Sequence, residues 1–206
     1  MATYQEQRER EYQNKLVKRF QDELGYKYLG NWQYAKGETV NSLGKQNSPI
    51  IDEEVQNYLK KQKKGDKKTP RYTERQIEDA LLQLKSKARL GNTKMSGLIQ
   101  CNTDLYDILM SGVKSQPDPE SNHEDVLFFD FEDYANNDFA IAEEVSYIDP
   151  LLGKNKRPDI VVYVNGIALA VIELKRSLVN YEEGIRQHLS NERDFIPSFF
   201  TTTQFT

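Results

Sequence analysis

Cysteine and long apolar runs are almost absent from this 206-residue sequence, and both absences narrow the kind of protein it can be. Cys101 is the single cysteine, which excludes a disulfide framework and a zinc site built from several cysteines. No apolar stretch reaches membrane-spanning length, and the start MATYQEQRERE carries no apolar signal segment. We therefore expect a cytoplasmic protein that has no membrane partner.

An excess of positive charge is also missing, because the formal net charge is −4. Contact with a nucleic acid would therefore depend on a local basic patch, helped by metal ions that neutralise phosphate. Hydrophobic residues make up 37% of the sequence and the mean hydropathy is −0.76. This composition predicts one domain over residues 1–206, with a proper core beneath a large polar surface.

Residues 1–115 are predicted to be mainly helical. From Tyr4 to Leu24 an apolar residue recurs at every fourth position in the second half of the segment, which is typical of an amphipathic helix. From Thr73 to Lys87 a T-x-x-Q capping box precedes an apolar helical face. Shorter helices are predicted over Ile50 to Lys61, with Asp52 as the cap, and over Thr103 to Met110.

A polar, lysine-rich insertion near residues 36–72 interrupts this helical portion. Its segment from Lys60 to Lys68 reads KKQKKGDKK. A solvated loop is the simpler interpretation. The alternative is an arm that contacts phosphates, where counterion release would supply the affinity.

The second half, residues 126–206, changes to strand-like patterns followed by a helix. Two β-branched, apolar runs, Asp159 to Val164 and Ile167 to Lys175, flank Asn165-Gly166. An Asn-Gly pair between such runs predicts a tight hairpin, and apolar residues on both faces predict a central position in the sheet. Further strands are predicted over Val126 to Phe131, Phe139 to Val145 and Phe199 to Thr206, and a helix over Leu178 to Leu189.

Charged residues occur at the end of the hairpin that lies away from its turn. Asp159 opens the first strand, and Glu173-Leu174-Lys175 closes the second. Because side chains alternate along a strand, Glu173 and Lys175 point to the same face. Burying charged side chains at the end of a strand costs free energy unless a partner or ligand binds them. The simpler interpretation makes Asp159 a turn residue, with Glu173 and Lys175 as a surface ion pair.

The functional interpretation is a site for metal-dependent hydrolysis of phosphodiesters. The carboxylates of Asp159 and Glu173, with the backbone carbonyl of Leu174, would hold Mg²⁺, for which Mn²⁺ could substitute. The ammonium group of Lys175 would orient the attacking water or stabilise the developing negative charge.

This interpretation makes a geometric demand on the hairpin. With a plain two-residue turn Asp159 falls opposite Ile172, on the face away from Glu173. We therefore predict a one-residue offset, either at the turn or at a bulge near Asp159, which brings both carboxylates to one face. At the turn, a three-residue loop with a glycine bulge would make the two carboxylates diagonal neighbours.

The residues RPDIVVYVNGIALAVIELK, and upstream FFDFEDYANNDFAIAEEVSY and LGYKYL, resemble the N-terminal nuclease region of the R subunit of type I restriction–modification enzymes. That region is part of the PD-(D/E)xK nuclease superfamily. The resemblance implies an α/β, restriction-endonuclease-like fold, in which helices flank a central mixed β-sheet and the N-terminal portion is helical.

The resemblance also implies further site residues. Glu9 or Glu11 on the first helix would approach the metal. Gln187 occupies the first position of a Q-x-x-x-Y motif, whose tyrosine is replaced here by Asn191. Positive side chains near the strand ends are candidates for contacts with DNA phosphates: Lys154, Lys156, Arg157 and Arg176.

The function implied is an Mg²⁺-dependent endonuclease acting on duplex DNA. The intact polypeptide would continue into an ATP-driven translocase and would assemble with methylation and specificity subunits. This agrees with the absence of a Walker-type phosphate loop and of a polar tail at the C-terminus. The alternatives are a repair-type or RNA-directed nuclease of the same fold, and a catalytically silent module that binds DNA or a partner.

Overall fold

A computed structural model describes residues 4–65, 68–89, 95–174, 185–186, 189–190 and 196–205. The helices are α1 (Tyr4–Asp22), α2 (Asp52–Lys61), α3 (Glu74–Lys87) and α4 (Met95–Ser111). The strands are β1 (Lys27–Asn31), β2 (Val113–Ser115), β3 (Glu124–Val126), β4 (Phe139–Glu143), β5 (Tyr147–Ile148), β6 (Asn155–Lys156), β7 (Ile160–Val164) and β8 (Ile167–Ile172). A 3₁₀ turn spans Tyr134–Asn136.

The central sheet has the strand order β1-β4-β7-β8. β1 runs parallel to β4, whereas the pairs β4–β7 and β7–β8 are antiparallel, so the sheet is mixed as predicted. Two short ladders, β2–β3 and β5–β6, stand apart from it. The predicted hairpin of β7 and β8 thus forms one half of the main sheet.

Helices cover both faces of this sheet. On one face Val17 of α1 packs with Ile141 and Ile160. On the other face Val161 and Tyr163 join the larger core, because adjacent residues of a strand point to opposite sides. That larger core also contains the apolar faces of α2, α3 and α4. The predicted architecture, a mixed sheet flanked by helices with a helical N-terminal portion, is confirmed.

The predictions for the four helices α1 to α4 hold with two corrections. The capping box of α3 is complete, since Gln76 N donates to Thr73 Oγ1 at 3.3 Å and Thr73 N donates to Gln76 Oε1 at 3.0 Å. Asp52 is not a cap: it is the first residue of α2, and its carboxylate pairs with Lys85 at 2.6 Å. α4 is longer than predicted. Among the described residues, no helix combines the length and apolar character needed to cross a bilayer.

The strand predicted over Val126 to Phe131 is largely wrong. β3 ends at Val126, although Phe128 and Phe129 are buried. Side chains satisfy the backbone here instead of a strand ladder. The hydroxyl of Tyr72 accepts from Leu127 N at 3.1 Å, and Asn165 Nδ2 donates to Phe128 O at 2.8 Å.

The strand predicted over Phe199 to Thr206 is also wrong. Residues 197–202 form turns, in which Phe200 N donates to Pro197 O and Thr203 N donates to Phe200 O. Only Phe205 forms a bridge, parallel to Ala170. Of the helix predicted over 178–189, residues 185–186 and 189 are helical, and the remainder lies outside the described residues.

Backbone pairing joins the described residues on either side of the centre of the lysine-rich segment. Lys63 and Pro70 form an antiparallel bridge, and Lys64 N donates to Thr69 O at 2.9 Å. Lys60 pairs with Glu74 and Lys61 with Asp138, which anchors the start of the segment to the domain.

Candidate active site at one end of the sheet

The hairpin of β7 and β8 closes through the two-residue turn Asn165-Gly166. Both residues have positive φ, 51° and 82°, as a type I′ turn requires. A Cβ on Gly166 would lie 2.8 Å from Glu54 Cβ and 2.8 Å from Val55 N, so space also demands glycine there. The predicted hairpin is confirmed, and its turn is the plain two-residue form.

The register between the two strands changes inside β8. Tyr163 pairs with Ala168, but Val162 pairs with Ala170, so Leu169 is an extra residue without an opposite partner. This β-bulge shifts every later pair by one position.

The bulge brings the two predicted carboxylates to facing positions. Ile160 pairs with Ile172, and the same register continued by one residue sets Asp159 opposite Glu173. The predicted one-residue offset is therefore present. It lies at Leu169 rather than at the turn or near Asp159, and it sets the carboxylates directly opposite rather than diagonal. Both side chains line one cavity of about 970 Å³ at this end of the sheet.

The C-terminal segment explains how β8 accommodates the extra residue. Leu169 O accepts from the backbone N–H groups of Gln204 at 2.8 Å and Phe205 at 3.0 Å. Thr202 Oγ1 donates to Ala168 O at 2.7 Å. Residues distant in sequence thus provide hydrogen-bond partners for the backbone carbonyls at the bulge. Burying those carbonyls without partners would cost free energy.

Hydrogen bonds from three directions hold Asp159. Leu174 N donates to Asp159 Oδ2 at 2.6 Å. Glu144 N at 2.8 Å and Gln13 Nε2 at 3.3 Å both donate to the Asp159 carbonyl oxygen. Gln13 is only 3% exposed, so its amide joins α1 to the start of β7 inside the protein. These bonds orient the Asp159 carboxylate relative to the end of β8.

Glu144, which follows β4, has a φ of 51°, a left-handed conformation uncommon for a residue other than glycine. Its N–H reaches the Asp159 carbonyl, and the next N–H, of Val145, donates to Pro158 O at 3.1 Å. Backbone strain of this kind is concentrated at functional sites. Here it lets the end of β4 hold the segment that carries Asp159.

Two arginines and two glutamates form a charged group next to Asp159, which we call the arginine–glutamate cluster: Arg10, Glu143, Glu144 and Arg157. Arg10 Nη1 lies 3.5 Å from Glu143 Oε1 and 3.4 Å from Glu144 Oε1. Arg157 Nε lies 2.5 Å from Glu144 Oε2. Because Glu143 is only 3% exposed, Arg10 supplies the opposite charge that a buried carboxylate requires.

The other oxygen of Glu143 accepts a hydrogen bond from the Tyr28 hydroxyl at 2.5 Å. Burial, and then this hydrogen bond, raise the pKa of Tyr28 to about 12. The phenol therefore remains a hydrogen-bond donor across the physiological pH range. β1 thus contributes to the same end of the sheet.

The helix α1 presents Glu9, not Glu11, to this cavity. Glu9 is partly buried and lines the cavity together with Gln13, one helical turn later. Glu11 is exposed and lies outside the lining. The orientation of α1 therefore separates the two candidates that the sequence left open.

Of the basic residues predicted near the site, Lys156 and Arg157 line the cavity. Lys154 is exposed and does not contribute to the lining. Three predicted site residues lie outside the described residues: Lys175, Arg176 and Gln187.

A loop that no sequence motif marked forms another part of the cavity wall. It runs from Gln33 to Glu38 and carries the exposed Lys36. Tyr34 N donates to Ser146 Oγ at 3.1 Å, and the Tyr34 hydroxyl accepts from Asn47 N at 3.1 Å. These bonds fix the wall relative to the sheet.

The donor set fits a hard divalent cation. The Asp159 and Glu173 carboxylates share the cavity, and the carbonyl of Leu174 belongs to the same strand end. Within the part of the chain that the structure describes, no group of three or more His, Cys, Asp or Glu residues is arranged to hold a metal ion. Two carboxylates and one backbone oxygen, completed by waters, would supply the partly hydrated shell that Mg²⁺ favours.

Several residues of the site were not predicted from the sequence, although weak signals marked three of them: Gln13, Glu143 and Glu144. Gln13 lies four residues after Glu9, so both share one helix face. Glu143 and Glu144 end an apolar strand in the same manner as Glu173. Charge at the end of a buried strand is therefore the signal that marks the two glutamates.

Comparison with known proteins places these observations in a family. The sequence model of the type I restriction enzyme R protein N terminus matches residues 6–206. The type I restriction enzyme MjaIXP endonuclease subunit of Methanocaldococcus jannaschii is 32% identical over 106 residues, and the HindI endonuclease subunit of Haemophilus influenzae is 31% identical over 102 residues. Each alignment covers 48% of this chain but only 10% and 9% of those proteins.

These relatives are far longer than the matched segment, and both are named as endonuclease subunits. The family match, in contrast, extends over nearly all of the sequence and includes the hairpin with Asp159 and Glu173. The chain therefore belongs to the type I restriction enzyme R protein N-terminus family.

Proposed function

We propose that this chain is the Mg²⁺-dependent nuclease domain of a type I restriction enzyme R subunit, which hydrolyses phosphodiester bonds of duplex DNA. The observation that carries the proposal is the facing register of Asp159 and Glu173 at one cavity. Membership of the family supports it, because the relatives are named as endonuclease subunits.

Asp159 and Glu173 hold the cation in this proposal, and the carbonyl of Leu174 adds a third protein oxygen. When bound, Mg²⁺ supplies Lewis-acid stabilisation of the phosphate and a lowered pKa for water. The hydrogen bond from Leu174 N to Asp159 Oδ2 presets one carboxylate, so less reorganisation is needed during the reaction. Glu9 lies on the helix that faces these residues and is proposed to orient water in the metal shell.

Lys175 and Gln187 are proposed to complete the site. The Lys175 ammonium group would stabilise the negative charge that develops on the phosphate, or orient the attacking water. Gln187 would contact the DNA backbone or that water. Contacts with neighbouring phosphates are assigned to four basic residues: Lys154, Lys156, Arg157 and Arg176.

The wider setting is also part of the proposal. A longer polypeptide would carry the ATP-binding translocase, and methylation and specificity subunits would select the DNA. Cleavage would then follow translocation in a cytoplasmic complex, and sequence choice would reside outside this chain.

The test uses the full-length subunit assembled with its partner subunits. Asp159→Asn and Lys175→Ala should lower DNA cleavage by about a hundredfold or more, because several kcal/mol of charge stabilisation are removed. ATP hydrolysis should persist, since the motor is separate. Asp107→Asn removes an exposed carboxylate of α4 and serves as the matched control, with cleavage at the wild-type rate.

Two outcomes would contradict the proposal. Unchanged cleavage in Asp159→Asn, with ATP hydrolysis retained, would favour a catalytically silent module. Cleavage of RNA in preference to plasmid DNA under Mg²⁺ would favour an RNA-directed nuclease. Titration with Mn²⁺ gives a separate readout, in which Asp159→Asn and Glu173→Gln should each weaken binding at least about tenfold.

A further inference from the structure

We infer that Arg10 and Arg157 form a phosphate-binding fork, which holds a DNA strand next to the candidate catalytic carboxylates. The inference rests on the proposed function, because it concerns the substrate of the same cavity. Arg10 belongs to α1 and was marked by no motif, whereas Arg157 precedes β7. Both arginines pair with the same glutamate, Glu144, and the sequence alone does not reveal this.

Each guanidinium group uses only part of its hydrogen-bonding capacity within the protein. Arg10 contacts Glu143 and Glu144 through Nη1, and Arg157 contacts Glu144 through Nε. Across the described ranges, Arg10 Nε and Nη2 and both Nη atoms of Arg157 donate to no protein acceptor. Planar guanidinium groups with such donors match the geometry of phosphate oxygens.

Exposure and position make these donors accessible to a ligand in the cavity. The side chains of Arg10 and Arg157 are 44% and 45% exposed. Both line the cavity that Asp159 and Glu173 also line. A phosphodiester bound there would therefore meet both the arginines and the carboxylates.

Glu144 organises the pair before any ligand binds. Its Oε1 lies 3.4 Å from Arg10 and its Oε2 lies 2.5 Å from Arg157, so one carboxylate sets the spacing of both arginines. Its own position is fixed by the left-handed backbone and the bond to Asp159. Restricting two flexible side chains in advance reduces the entropy lost on binding.

The charge of the cavity explains why such a fork is needed. Asp159 and Glu173 repel a phosphodiester, and the chain as a whole carries a net charge of −4. A cation at the carboxylates offsets part of this repulsion, but it does not hold the neighbouring phosphates. Arg10 and Arg157 provide fixed positive charge within the same cavity.

A purely structural role for Arg10, as the counter-charge of the buried Glu143, predicts a different behaviour. It accounts for the contact of Arg10 with Glu143 but assigns no function to Arg157. Under that reading, replacing Arg10 lowers stability and leaves the salt dependence of DNA binding unchanged. The slope of affinity against salt concentration therefore separates the two roles.

The experiment measures binding of the intact protein to a short fluorescent duplex at several salt concentrations, with Ca²⁺ to prevent cleavage. Arg10→Gln and Arg157→Gln should each lower affinity and reduce the slope of log K against log salt by about one. The double variant should reduce it by about two. Arg19→Gln is the matched control, because Arg19 lies on the same helix and pairs with Glu23 in an exposed position, and it should behave as wild type.

Arg157→Gln keeps the inference testable if Arg10→Gln does not fold. Slopes in the folded variants equal to that of Arg19→Gln would overturn the inference. That result would leave the proposed function intact, because cleavage by the Asp159 variants is measured separately. Conversely, wild-type protein that shows the expected slopes but never cuts DNA in the assembled complex would contradict the proposed function alone.

Discussion

Gln13 makes a buried connection on which the position of Asp159 depends. Its Nε2 donates to the Asp159 carbonyl, which also keeps the backbone bond from Glu144 N. Gln13→Ala should therefore lower the free energy of unfolding by about 1 kcal/mol, the usual contribution of one hydrogen bond, rather than unfold the protein. Urea denaturation measures this. Asn14→Ala, on the exposed side of α1, is the control, and an equal loss in both variants would contradict the assignment.

Cys101 is expected to react slowly with thiol reagents. Burial raises the pKa of its thiol from 9.0 to about 11, and its Sγ donates to Lys87 O at 3.0 Å. At pH 8 the thiolate fraction should thus be about a hundredfold below that of an ordinary cysteine. A disulfide reagent should label the native protein slowly and the urea-unfolded protein quickly. Equal rates would contradict the raised pKa.

The same pKa shift has a consequence for stability with a definite sign. The unfolded thiol loses its proton near pH 9, whereas the folded thiol keeps its proton to about pH 11. The contribution of Cys101 to stability is therefore full below pH 9 and declines as the pH rises towards 11. Cys101→Ala should lack this component of the decline between the two values.

At the scale of residues, the sequence predicted the placement of two carboxylates at one cavity. Asp159 and Glu173 could be predicted because charge at the end of an apolar strand needs a reason. The choice between Glu9 and Glu11 could not be made, because it depends on the rotation of α1 relative to the sheet. Arg10 was not predicted as a site residue, since its position in the site depends on its ion pair with Glu143, which lies far away in sequence.

The turn that joins β7 and β8 depends on Gly166 for two physical reasons. Its φ is 82°, and a Cβ there would lie 2.8 Å from Glu54 Cβ and from Val55 N. Gly37 has a similar φ of 85° but open space around it, so it is a matched control.

Gly37→Ala should therefore cost about 1 kcal/mol of stability, from backbone strain alone. Gly166→Ala should cost clearly more, because strain and a clash with the start of α2 add together. Chemical denaturation of both variants checks the difference. Equal losses would show that contact with α2 does not restrict the turn.

At the scale of elements, the features that the sequence did not predict depend on contacts between residues far apart in the chain. The hairpin was predictable from Asn165-Gly166, and the need for an offset followed from the carboxylates. The bulge at Leu169 was not predictable, because Gln204 and Phe205 satisfy its carbonyl. β1 was missed because KYLGN is short, largely exposed in its first half and lies at a sheet edge.

The molecule as a whole combines an acidic net charge with a cavity that is proposed to bind DNA. Five acidic and four basic residues line the cavity, so its lining carries a small negative charge before a cation binds. Its affinity for DNA should then depend on divalent ions, beyond their role in cleavage. An acidic chain can bind a polyanion in this manner because the repulsion is local and is reversed by one ion.

Glu173→Gln tests this dependence, because the variant should have opposite effects in two conditions. Without divalent ions, removing one negative charge should strengthen DNA binding relative to wild type. With Ca²⁺ present, losing a metal ligand should weaken binding instead. Fluorescence anisotropy with a short duplex, in EDTA and in Ca²⁺, measures both effects. If the variant instead changed the DNA affinity in the same direction in EDTA and in Ca²⁺, Glu173 would not be a metal ligand. Only the loss of a metal ligand makes the effect on affinity depend on whether the metal is present.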